Sequence, residues 1–588
     1  MHRDAAGALW SLGANKENQQ LIANKGGITP LVTLLMDGSP GAQETAAGAL
    51  HSLAALPENR VAIADAGGVP ALVALFEAGT AEAKTQAAGA LSTLVVKNAA
   101  NQSTVAHELV AMLSRENSSS EAQEHVTQLL HNLSLDPENR SALSKWGAIP
   151  ELARELRDGT PSAQTNAASA LSQIALKSPQ HRVQVTAQLI KLLGSPLSEV
   201  RQRAWTALKD MASEGGSESQ MTVQMAGGID RFVSLLKDGS LEAQEYALWL
   251  LWQSADLASK LSIASAGCAE PIIAILLSGR LSTVAEEHAA AVLSGITSDE
   301  IVAVEERIRA QNKKDIVSAG GIQPLVKLLR AGSKGAKRHA AVALAHLCRS
   351  GTGVYLETQF EIAEAGAINA LVMWLNDPTQ GPQDVAARAL ADLGCDSADT
   401  QATIVEAGAL RPLVLMMSEG TPEAQKWAAG AIAALSEGNE FNQMAVAEDG
   451  GIAPLVELLK NREQPGPHES AIRALWHLSY TADNQLSIAR DGSLPPLVAN
   501  LSSESDQSKE YAAAALESLS KDCAENQVAL SRVGAIPPLV VLLGSERAET
   551  QLYAQGALLN IAAPNQENRL AVVKPLVGLL EVSLIGRG

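Results

Sequence analysis

Trp249 and Trp252 stand three residues apart in "LEAQEYALWLLWQ", with Glu245 one turn before the first and Gln253 directly after the second. On a helix this spacing puts both indoles on one face. Tryptophan faces beside a carboxylate can grip the stem and charged head of a Lys or Arg by stacking and charge together. That is binding chemistry, and its alternative is core packing of one or both rings. Trp10, Trp476, His51 and His131 hold the place of Trp252 in related phrases of the chain, whereas Trp205 falls on an apolar face and reads as core. Bond-making chemistry is not legible. The chain has no GxxxxGK[ST] phosphate loop, HExxH pair or GxSxG elbow. "AGSKGAK" near Gly332 has the wrong spacing for a phosphate loop, and "GTGV" at Gly351 lacks the preceding strand that a dinucleotide site requires. The eleven histidines have no partners at ligand spacing. The expectation is a chain with no catalytic residue, no metal, no cofactor and no small-molecule substrate.

Composition narrows the partners. Acids outnumber bases 64 to 45, a net charge of −19, which disfavours nucleic-acid backbone and anionic membranes and tolerates basic proteins. Cys268, Cys348, Cys395 and Cys523 lie far apart without a CxxC pair, which fits a reducing compartment. "MHRDAAGAL" has no apolar signal core, and His2 stands where myristoylation requires glycine. The strongest apolar run, "PIIAILL" from Pro271, is too short to span a bilayer. These features predict a soluble chain of the cytoplasm, with the nucleus as a second compartment, and no direct membrane insertion.

What must position the tryptophans is a repeat. "GGITPLVTLLMDGSPGAQETAAGALHSL" from Gly26 returns as "GGVPALVALFEAGTAEAKTQAAGALSTL" from Gly67 and "GAIPPLVVLLGSERAETQLYAQGALLNI" from Gly534. The leucine of the "AL" pair is a ruler, falling at Leu9, Leu50, Leu91, Leu130, Leu171, Leu208, Leu251, Leu293, Leu344, Leu390, Ile432, Leu475, Leu516 and Leu558, mostly 41 to 43 residues apart. Each step punctuates itself. "ENRVAIADAGG" reads as a short helix closed by a glycine that takes the left-handed cap cheaply. "VPALVALFEAG" opens a second helix with Pro70 in its first turn. Thr80, like Ser39, Thr160 and Thr421, sits at the N-cap of a third, longer helix, whose Ala87, Ala90, Leu91 and Leu94 share one face. Such short helices are marginal alone, so neighbouring units must bury a shared ribbon of Leu, Val, Ile and Ala.

Three helices per ~42 residues is an armadillo-type period, and phrases such as "GAIPPLV" and "AAGALSTL" resemble the armadillo family, which includes β-catenin and importin-α. The resemblance covers practically the whole chain, 1–588, and implies an all-α, right-handed solenoid of about 13–14 repeats. Residues 1–13 and 565–588 read as partial repeats and as signs of a longer parent protein. The stretches 98–133 and 177–211 read as irregular repeats that lose or merge the first helix. Insertions lie near 297–315, a lengthened charged helix, and near 348–360, a glycine loop carrying Tyr355; "NREQPGPHES" from Asn461 is a stiff connection. These insertions mark either partner contacts or tolerated drift.

The resemblance also implies that third helices line a groove for extended peptides. With helices ~8–10 Å apart and an extended chain rising ~3.3 Å per residue, each repeat would read roughly three ligand residues. In the importin-α branch the groove bears a tryptophan and, four residues later, an asparagine that clamps peptide backbone. Here only Trp249 matches the tryptophan, whose place is otherwise mostly small (Gly48, Gly89, Ser169, Gly430, Gly556). Asn132 and Asn560 match the asparagine, with Gln173 and Gln253 as near substitutes and Asp210 among the departures. A nuclear-import adaptor for basic cargo is therefore disfavoured. Four residues before the tryptophan place stand Glu44, Glu124, Glu245, Glu287, Asp384, Glu469 and Glu510, against Arg3, Arg338 and Lys426. The row from Glu44 to Glu287 contains no base and predicts a preference for basic segments; its alternative is a solvated helix face. Beyond it Arg338, Arg388, Lys426 and Arg473 mingle with the acids, which indicates another ligand register or a second partner. With Trp476, these residues define the expected partner-binding surface of a protein-interaction scaffold for extended or helical segments of other proteins. Its rivals are the import adaptor and the substrate-binding part of a larger protein, as in U-box ubiquitin ligases or the vacuolar membrane-anchored armadillo protein.

Overall fold

The computed structural model describes residues 1–115, 118–176, 178–215, 228–253, 257–298, 306–349, 356–379, 381–563 and 566–585. Helices are the only regular structure among them. One repeat shows how the sequence makes its unit. Pro57–Asp65 forms a nine-residue helix, and Gly67 then turns the chain with φ 79°, a left-handed value that costs an L side chain strain. Gly68–Ala78 follows and buries Val69, Leu72, Val73, Leu75 and Phe76. Thr80 caps Ala81–Leu94 by accepting from the Ala83 N–H at 3.2 Å. Thr160 and Thr421 cap their helices in the same way, whereas the Ser39 side chain makes no such bond. On the third helix Ala87, Ala90, Leu91 and Leu94 are all fully buried, the face that the spacing predicts.

The chain divides into two compact units, Met1–Ala266 and Gly267–Gly588. In the first, the third helices are His2–Leu12, Pro40–Leu53, Ala81–Leu94, Ser120–Ser134, Pro161–Ala175, Ser198–Gly215 and Leu241–Gln253, each packed on the next. In the second they are Thr283–Ile296, Lys334–Cys348, Gln383–Gly394, Pro422–Ser436, Pro465–Leu478, Asp506–Ser520 and Ala548–Ala562, packed in the same manner. A single helix, Ala99–Leu113, stands where other repeats have two, and Pro179–Leu192 does the same. The charged segment is helical over Glu306–Ser318, 13 residues against nine in most first helices. Residues 299–305 and 350–355, including Tyr355, lie outside the described residues. Gln566–Ile585 is one helix of 20 residues with Pro575 inside it.

In five repeats a buried amide joins the repeat to the one before. Asn526, 1% exposed, donates to the Leu519 carbonyl that ends the preceding third helix (2.9 Å) and to the Gln485 carbonyl of the preceding first helix (3.0 Å). Asn59, Asn101, Asn484 and Asn568 make the same pair of bonds in their own repeats. The "N" of "ENR", "AENQ" and "DNQ" therefore answers helix-end carbonyls that would otherwise be buried without donors.

Among the described residues no single helix is long and apolar enough to cross a membrane. The bent pair Pro57–Asp65 and Gly68–Ala78 has the length and composition together, with a 74° bend, and its largest apolar side chains are core.

Candidate partner-binding groove

Three third helices of the first unit enclose a groove of about 730 Å³. Ser120–Ser134 contributes His131. Thr165, Ser169, Ser172 and Gln173 come from Pro161–Ala175, and Gln202, Thr206 and Asp210 from Ser198–Gly215. Thr165 and Gln202 stand six residues before their ruler leucines, Ser169 and Thr206 two before, and Gln173 and Asp210 two after. The wall is thus built from equivalent positions of successive repeats. Gln173 also accepts from Arg140 Nη2 at 3.1 Å, which fixes its amide. Burial lowers the His131 pKa, and its Nδ1 has no hydrogen-bond partner among the described residues. Hydroxyls and amides, chemistry suited to a peptide backbone, share the groove surface with Arg203 and Asp210.

The acidic row does structural work that its sequence pattern does not disclose. Glu44 accepts from Thr80 Oγ1 at 3.4 Å, Glu124 from Thr160 Oγ1 at 3.1 Å, and Glu287 from Ser333 Oγ at 2.5 Å. Each donor is the N-cap of the next third helix in its own unit and itself accepts from that helix's third N–H. Glu510 reaches the same place by pairing with Arg547 at 2.7 Å. A carboxylate there meets the positive end of the helix dipole. Replacing Glu124 by alanine is expected to destabilise the Pro161–Ala175 helix by about 0.5–1 kcal/mol, read as faster amide exchange at residues 162–164; unchanged exchange would show the contact to be idle.

Beside the groove, Glu245 and Trp249 are half-buried and Trp252 is 39% exposed. Trp249 meets Trp205 edge to face at 4.6 Å, and Trp205 stacks on Tyr246 at 4.6 Å. Trp205 is therefore half-buried in an aromatic trio and not a core residue, a correction to its reading from the apolar face. Asn132 is exposed and accepts from Gln128; Gln253 is half-buried.

In the second unit Arg338 is exposed, and Asp384 and Glu469 are half-buried. Arg388 lies over the Trp427 ring at 4.9 Å, approaches His346 Nε2 at 3.3 Å, and is 3.9 Å from Asp392. Lys426 lies over the same ring at 4.7 Å. Arg473 donates to the Gly430 carbonyl at 3.2 Å, and Asn560 donates to the Glu517 carbonyl at 3.1 Å. Arg388, Lys426 and Arg473 are thus held by their own chain, the first two over Trp427. Sequence reasoning passed over that tryptophan. It stands five residues before its ruler, as do Tyr246, Tyr511 and Tyr553, so a tally of that column would have found an aromatic stripe beside the expected one.

The small residues of the tryptophan column also have a cause. A Cβ on Gly48 would come within 2.5 Å of the Trp10 indole, and one on Gly89 within 2.5 Å of the His51 ring. Trp10 and His51, one place after their ruler leucines, each lie across the next repeat's small residue. Aromatic surface is kept, but it is supplied from the preceding helix.

Residues 15–55, 57–96, 216–253, 309–349 and 523–563 match the family model of the armadillo/β-catenin-like repeat. No curated protein matches the chain by sequence. A solved structure from work on a phosphorylation switch controlling the interaction between cadherin and β-catenin superposes with a TM-score of 0.62 at 16% identity, over 84% of this chain and 99% of that one. An engineered protein aligns at 26% identity with a TM-score of 0.49, over 78% of this chain and 99% of its own. A designed armadillo repeat protein in complex with the peptide (KR)4 aligns at 26% identity with a TM-score of 0.37, over 41% of this chain and 99% of its own. Five stretches of the chain thus match the armadillo repeat, on a stack of three-helix units with an all-α solenoid fold.

Proposed function

We propose that the chain is a non-catalytic scaffold that binds an extended segment of another protein along its third helices. The armadillo fold generally serves protein interaction, and the observation that carries the reading here is the 730 Å³ groove walled by equivalent positions of successive helices. Hydroxyls and amides at Thr165, Ser169, Gln173, Gln202 and Thr206 suit a peptide main chain, while Asp210, Glu245 and Trp249 suit its basic side chains. The carboxylates of Glu44 and Glu124 are engaged at helix N-termini. The thiols of Cys268, Cys348, Cys395 and Cys523 are all free, in keeping with work in the cytoplasm or the nucleus.

The test is a peptide array probed with the purified chain and with Glu245→Lys, Trp249→Ala and Thr206→Trp, the last filling the groove. Capture of basic peptides should fall about tenfold or more for each, as expected for interface hot spots, with helicity unchanged. It should also weaken as salt rises. Equal capture by all four proteins would end the reading. A charge-reversed array captured equally well would remove the import-adaptor alternative along with the basic preference.

A further inference from the structure

The second unit carries a cluster of aromatic side chains that the groove reading does not use. Trp476 lies 5.7 Å from Tyr511 with ring planes 26° apart, 5.8 Å from Tyr553 at 67°, and 6.4 Å from Tyr480. Three successive third helices supply Trp476, Tyr511 and Tyr553; Tyr480 follows the end of the first. The polar edges are satisfied, since Trp476 Nε1 donates to Tyr480 Oη at 3.0 Å and Gln507 Nε2 donates to Tyr511 Oη at 2.6 Å. The rings themselves remain accessible: Tyr480 is 53% exposed, and the other three are half-buried.

Carboxylates surround the cluster. Glu510 is committed to Arg547. Glu517 is half-buried, its side chain laid against Gly556, where a Cβ would come within 2.7 Å of Glu517 Cγ. Its carboxylate has no hydrogen bond or ion pair among the described residues, and burial raises its pKa. The negative charges of Glu517 and Glu437 also raise the pKa of the Tyr480 hydroxyl, whose largest cause is burial. Of the nearby bases, Arg547 and Lys509 are paired with Glu510 and Asp506, and Lys521 acts on Glu517 only through its field. A half-buried carboxylate beside electron-rich ring faces lacks a cation. A guanidinium meets both demands at once, lying flat on a ring while its N–H edge pairs with the carboxylate; an ammonium group meets them only as a point charge, without the planar fork.

We propose that Trp476, Tyr511, Tyr553 and Glu517 form a subsite for an arginine side chain of a partner segment. It rests on the groove reading and adds a second contact point in the other unit. It does not use the tryptophan column, which is held here by Arg473, Ala514 and Gly556. The full-length chain is titrated with a fluorescein-labelled octapeptide of alternating arginine and serine, and with its lysine and citrulline counterparts, followed by anisotropy. The arginine peptide should bind about fivefold or more tighter than the lysine peptide, and the citrulline peptide should bind weakest. Glu517→Gln and Tyr511→Leu should each lower arginine-peptide affinity about five- to tenfold, with circular dichroism unchanged, in the range of partly desolvated cation–π and charge pairs. Equal binding of arginine and citrulline peptides, equal binding of arginine and lysine peptides, or indifference to both substitutions would overturn the subsite. Thr206→Trp and Trp249→Ala report separately on the groove. If they abolish array capture while Glu517→Gln and Tyr511→Leu change nothing, the subsite alone is lost.

Discussion

Asn526→Leu is expected to uncouple the last repeats from the rest of the second unit. Leucine has the branched shape of asparagine with bulkier methyl ends and no donor, so the Leu519 and Gln485 carbonyls would be left buried without their 2.9 and 3.0 Å bonds. Losing two such bonds, with carbonyls still out of water, costs on the order of 2–4 kcal/mol. In a stack held by nearest-neighbour interfaces this loss stays local. Residues after Ser520 should therefore unfold in a separate, earlier step, with fast amide exchange over Ala524–Arg532 and Ala548–Ala562 and little change in the first unit. Exposed Asn24→Leu is the control, since Asn24 bonds only to Gln20. If urea unfolding and exchange of Asn526→Leu match the parent chain, the amide staple does not hold repeats together.

The contrast between Asn526 and Trp205 shows what the sequence discloses. Features that act inside one repeat were legible. The ruler leucines, the glycine that ends the first helix and the threonine that opens the third all depend on local periodicity and turn chemistry, and the structure places them as read. Contacts between repeats follow a stagger that no single repeat encodes. Glu124 is a groove carboxylate by its column, yet it reaches a hydroxyl 36 residues later. Gly48 looks like a lost tryptophan, yet it is the seat of Trp10. Trp205 sits on the apolar side of its own helix, but the neighbouring helix presents Tyr246 and Trp249 there, so the ring remains half-buried in a side-by-side cluster. In the groove, Gln173 and Asp210 come together with His131, whereas Glu44 and Glu124 of the acidic row lie at helix ends. The aromatic column five places before the ruler was open to discovery, because it is periodic. Its partner Glu517 was not, because only the packing shows that it lacks a cation.

Acid should loosen the second unit through His477. This ring is 5% exposed and stacked on Trp476 at 4.6 Å; burial first, and the Arg473 charge second, push its pKa down to about 4 from an ordinary 6.5. In the unfolded chain it would take up a proton near pH 6.5, and in the folded chain only near pH 4. Between those values the unfolded state holds more protons, so stability falls as pH falls. The loss approaches roughly 3 kcal/mol at pH 4. Half-buried Glu517 works in the opposite direction, because its raised pKa lets the folded state bind a proton first. The measurement is therefore a difference, with urea unfolding of the C-terminal repeats followed from pH 7 to pH 4 in the parent chain and in His477→Gln. The parent should lose stability more steeply than the variant, with the gap opening below pH 6.5 and widening towards pH 4. Parallel curves over that range would mean that His477 takes up its proton alike in the folded and unfolded chain, and that burial against Trp476 does not hold its pKa down.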